Sequence, residues 1–76
     1  MKRVRIEFSS NDYANMFVEE FGKDEEYMMI CTNIGSNENF VTIRVREGYE
    51  DDALPTIWSC IYNVGIDYGV LNVKGE

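Results

Sequence analysis

An α+β sandwich, four antiparallel strands covered on one face by two helices, is the fold class that this sequence predicts. Three observations carry it: period-two alternation near both ends and in the middle of the chain, two segments with apolar residues at helical spacing, and the element order β-α-β-β-α-β. The 76 residues fit a single domain, 1–76, with no linker, low-complexity tract or internal repeat. A chain of this size keeps about 4,800 Å² of surface on folding against about 12,800 Å² unfolded, enough for one modest core.

Val4, Ile6 and Phe8 alternate with Arg3, Arg5, Glu7 and Ser9, so the first strand has one buried face. Ser10 is a good N-cap, and Tyr13, Ala14, Phe17, Val18 and Phe21 then share a helix face until Gly22, where a stop is expected. After a polar link over 23–26, the β-rich run Tyr27 to Ile34 predicts the second strand. A turn over 35–39 and the alternating run Phe40 to Arg46 complete a hairpin that buries Val41, Ile43 and Val45.

Gly48 to Asp52 forms an acidic turn in which Asp51 or Asp52 caps the second helix, with Pro55 in its first turn. Leu54, Ile57, Trp58, Ile61 and Tyr62 follow the spacing of a core-facing stripe, and Gly65 offers a left-handed stop. Val70 to Lys74 is the last strand, with Leu71 and Val73 on one face and Val70, Asn72 and Lys74 on the other. This order is the split βαβ arrangement, so a ferredoxin-like sandwich with the first and third strands central is expected.

In that topology one sheet face is open, and alternation sends Arg3, Arg5, Arg44 and Arg46 to it, with Lys74 beside them. Arginine forks suit carboxylate or phosphate, so these four form a candidate anion site, unless Glu7 neutralises the patch by cross-strand pairing. An RNA platform on this fold needs exposed aromatics on the central strands, and arginines stand there instead. Phe40 and Tyr27 are the aromatics that could still face outward.

Fourteen acids against seven bases give a net charge of −7, which repels phosphate backbones and anionic membranes at long range. Nucleic acid is therefore not an expected partner. The charge suits a small binding protein, an inhibitor or adaptor, that occupies a surface of another, basic protein. Glu19, Glu20, Asp51 and Asp52 are the candidate steering acids. The second helix adds Thr56, Ser59, Cys60 and Asn63, an uncharged outer face that suggests a packed neighbour. Tyr27, Met29 and Cys31 make the second strand an apolar edge, which suits either self-association as a homodimer or the docking of another protein. Two alternatives stand beside this reading: a dimeric regulatory domain with a small anion on the arginine face, and a structural subunit of a larger assembly.

The chain has no histidine, which excludes Ser-His-Asp and Cys-His catalysis and the common zinc sets, and its carboxylate runs are contiguous where a calcium loop alternates. No catalytic residue, cofactor or metal is expected. Cys31 and Cys60 read as buried thiols of a cytoplasmic protein, since no export signal or membrane-length apolar segment occurs.

Overall fold

Val4, Ile6 and Phe8 are fully buried while Arg3 and Arg5 stay exposed, so strand β1 (Arg3–Phe8) lays one face on the core as its alternation requires. The computed structural model describes residues 1–76, the side chain of Asn33 excepted. Helix α1 (Asn11–Lys23) begins at Ser10, whose Oγ accepts from the Tyr13 N–H at 3.3 Å, and buries Ala14, Phe17 and Phe21. It runs past Gly22 to Asp24, whose extended backbone ends the helix with its N–H on the Phe21 carbonyl. The Asp24 carboxylate accepts from the Glu26 N–H at 2.9 Å and so opens a second helix, α2 (Glu25–Ile30).

Helix α2 corrects the expected strand over 27–34. Strand β2 is Cys31–Asn37, starting four residues later and taking in Gly35, Ser36 and Asn37, which were expected in the turn. Tyr27 and Met29 therefore leave the sheet edge: Tyr27 is buried and stacks on Phe21 with centroids 5.1 Å apart, and Met29 is 61% exposed on α2. Apolar Tyr, Met and Ile suit either element in a short run, and the aromatic contact with α1 together with the Asp24 cap selects the helix. The turn shrinks to Glu38 and Asn39 before strand β3 (Phe40–Val45). Glu38 takes φ 57°, while Asn39 Nδ2 donates to the Phe8 carbonyl at 2.8 Å and ties the hairpin to β1.

Helix α3 (Glu50–Val64) starts earlier than expected. Tyr49 is its cap residue, Asp51 and Asp52 lie inside its first turn, and Pro55 lies beyond that turn. Its core face is also rotated. Ala53, Ile57, Cys60 and Ile61 are buried, whereas Leu54 and Trp58 are half-buried and Tyr62 is 63% exposed. The rotation follows from α3 packing against both α1 and α2, which draws the Cys60 side inward. Gly65 at φ 79° ends the helix: its N–H bonds the Tyr62 carbonyl and the Ile66 N–H the Ile61 carbonyl, a Schellman closure.

After a 3₁₀ turn (Asp67–Gly69), strand β4 (Val70–Gly75) pairs with β1. A register shift opposite Glu7 and Phe8 makes Leu71 an extra residue, so Val70 and Val73 both pack on the core and Leu71 is 61% exposed. The strands pair antiparallel in the order β2-β3-β1-β4. The domain is thus α+β with an antiparallel sheet, carrying three helices where two were expected. Its surface is 4702 Å², and no helix is long and apolar enough to cross a membrane.

Candidate functional site

The open sheet face is built from the residues that alternate with the core positions, and the register arranges them in three rows. Glu7 stands between Phe40 and Asn72, Arg5 between Thr42 and Lys74, and Arg3 between Arg44 and the Glu76 end of β4. Rows along one strand are about 6.5–7 Å apart, and directly opposed Cβ atoms about 4.5–5.5 Å. Arg3 against Arg44 and Arg5 against Lys74 are like-charge pairs in register, the first at the closer, non-hydrogen-bonded spacing and the second at the wider, hydrogen-bonded one.

Neutralisation of this face is slight. Among the described residues the ion pairs are Arg3 with Glu76 at 3.7 Å, both ends substantially exposed, and Lys23 with Glu19 at 3.1 Å on α1. An exposed pair at that distance offsets little charge. Arg5 does not pair with Glu7; its guanidinium carbon lies 4.4 Å from the centroid of the half-buried Phe40 ring. That is a cation–π contact, and it fixes where a planar, five-donor group stands.

Two depressions flank the arginines. A groove of about 860 Å³ is lined by Lys2, Arg3 and Arg44 but also by Glu47, Glu50 and Glu76, so its charges balance. A smaller one of about 260 Å³ lies directly on the face and is lined by Arg5, Glu7, Phe40, Asn72, Lys74 and Glu76.

Arg46 is not part of this face, contrary to the alternation argument. Strand β3 ends at Val45, and Arg46 turns to α2, its Nε donating to the Met28 carbonyl at 3.2 Å and its N–H to the Ile30 carbonyl at 2.8 Å. It closes the C-terminus of a helix that the sequence reading did not contain. Phe40, Thr42 and Asn72 join the face in its place. The parity of Phe40 with Thr42 and Arg44 in the run 40–46 was the signal for the first two, whereas the neighbours of Asn72 and Lys74 depend on the Leu71 bulge.

The acidic and helical candidates are dispersed. Glu19 is bonded to Lys23, and Glu20 is exposed near Cys60. Asp51 and Asp52 are exposed in the first turn of α3, roughly 12 Å along the axis from Cys60. The neutral face of α3 has an internal explanation: Cys60 is fully buried, Thr56 is half-buried, and Asn63 Nδ2 donates to the Tyr27 hydroxyl at 3.0 Å. Ser59 remains exposed. Cys60 and the Asn63–Tyr27 bond thus face the chain's own helical layer, while the surface of Ser59 and Asn63 stays exposed.

Burial pushes the Cys31 thiol up to about 11 despite nearby Arg46, and burial with the charges of Glu20 and Asp24 pushes Cys60 up to about 12. Both are protonated near neutral pH and are poor nucleophiles. Among the described residues no three His, Cys, Asp or Glu side chains are grouped to hold a metal ion. No protein-family model, curated protein or solved structure matches this chain.

Proposed function

We propose that the chain is a non-catalytic binding module, a ferredoxin-like β-α-β-β-α-β domain elaborated by the short helix α2, whose open sheet receives an anionic group. The observation that carries this reading is the strand register, which sets Arg3 opposite Arg44 and Arg5 opposite Lys74 in a chain with twice as many acids as bases. Such pairs destabilise a sheet, and placing acids opposite the arginines would remove the penalty. A face that keeps its cations together is suited to an anion that neutralises them. Protonated, buried thiols and the absence of histidine support a role in binding rather than chemistry, and suit a reducing, cytoplasmic setting. The test is thermal melting with phosphate, citrate, nucleotides and poly-glutamate. Saturable stabilisation by multivalent anions, abolished by Arg44→Gln, is expected; no shift with any anion overturns the reading.

A second reading, an acidic inhibitor or adaptor that docks on a basic protein, draws support from Glu20, Asp51 and Asp52, which are exposed and outside the ion pairs described above. Reversing these three charges should slow association with such a partner and flatten its salt dependence. Association rates that do not change would exclude this surface.

A further inference from the structure

We propose that the anion taken by the open sheet is a phosphorylated nucleoside unit, presented by a short single-stranded nucleic acid or a free nucleotide; this rests on the anion-binding reading above. The three rows differ in chemistry along β1. The first, Phe40, Glu7 and Asn72, is uncharged but for one carboxylate and offers hydrogen-bond donors and acceptors. The second and third, Arg5 with Lys74 and Arg3 with Arg44, are cationic. A row that can read a base edge thus lies about 7 Å from the nearer row that can hold phosphate and about 13–14 Å from the farther one.

Arg5 joins the two halves. Its guanidinium is held over Phe40, 4.4 Å from the ring centroid, so it is presented in a defined place above the sheet. Bases stack on arginine planes as they do on aromatic rings, and Arg5 backed by Phe40 offers such a surface. The depression beside it, about 260 Å³, is bordered by Glu7 and Asn72, which accept from and donate to base edges, and by Lys74, which can meet phosphate. A carboxylate ligand would use the cations of rows two and three and leave the first row idle. The long-range objection from a net charge of −7 is met by placement: Glu47 and Glu50 approach the face at its Arg3 and Arg44 end, whereas Glu7 and Glu76 are the acids that line the depression beside Arg5 and Lys74. With two or three phosphates engaged, the logarithm of affinity against that of salt has a slope of only about −1.4 to −2.

The experiment is fluorescence anisotropy at low salt with labelled six-nucleotide single strands of RNA and DNA, with adenosine diphosphate and poly-glutamate as competitors. The full chain is compared with Arg5→Lys, Arg44→Gln and Asn72→Ala, each checked for an intact melting transition. Arg5→Lys keeps the charge and removes the plane. Single-strand binding that falls about fivefold or more in Arg5→Lys and in Asn72→Ala, with poly-glutamate a weak competitor, is expected. Competition by the diphosphate at equal concentration supports the inference and makes a free nucleotide the occupant; competition by the strand alone assigns the polymer. Binding that Arg44→Gln abolishes but Arg5→Lys and Asn72→Ala leave intact, or that poly-glutamate displaces equally well, overturns the nucleoside assignment while the anion-binding module stands. Binding of none of these anions overturns both.

Discussion

Arg46 donates its Nε to the Met28 carbonyl at 3.2 Å, so an arginine placed by strand parity on the open face instead closes the last turn of α2. A cation there also meets the negative end of the helix. Arg46→Gln should lower stability by about 0.5–1 kcal/mol in urea unfolding and leave anion-induced stabilisation unchanged. A loss of anion binding in this variant would return Arg46 to the site.

Glu38 bridges β2 and β3 with φ 57°, a conformation that costs a side-chain-bearing residue about 1 kcal/mol or more. Glu38→Gly is expected to raise stability by about 0.5–1 kcal/mol, the steric relief exceeding the entropy that glycine loses on folding. A lower urea midpoint in this variant would show that the Glu38 side chain has a compensating role.

Pro55 lies inside α3, beyond the first turn, where its missing N–H leaves the Asp51 carbonyl without the usual helical donor. The ring is exposed and supplies no core volume. Pro55→Ala should therefore stabilise the domain by about 1 kcal/mol or more, read as a higher melting temperature. A lower one would mean that Pro55 helps to seat Cys60 and Ile61.

Cys60 is held protonated up to about 12, against an ordinary value near 9. Because the unfolded thiol ionises first, this contribution to stability is complete below about pH 9 and is lost as pH rises through the folded value. Wild-type stability should fall more steeply between pH 9 and 11 than that of Cys60→Ala, and thiol alkylation at pH 8 should proceed only as fast as the chain opens. Parallel pH profiles, or rapid alkylation of the folded protein, would contradict this burial.

The sequence by itself determined the α+β class, the first strand and helix with the Ser10 cap, the buried trio Val41, Ile43 and Val45, the Gly65 stop, and the outward parity of Arg3, Arg5 and Arg44. These rest on periodicity and capping, which are local. Tertiary structure decided what local pattern leaves degenerate. The run 27–34 divides into helix and strand because Tyr27 stacks on Phe21 and Arg46 closes the helix end. Helix α3 turns its Cys60 side inward because two helices flank it, and Leu71 is expelled by a bulge in the pairing with β1. The composition of the candidate site belongs to the same class. Which side chains stand opposite Arg3 and Arg5 is a matter of register between distant strands, and register is fixed only when the buried face of each strand finds the common core.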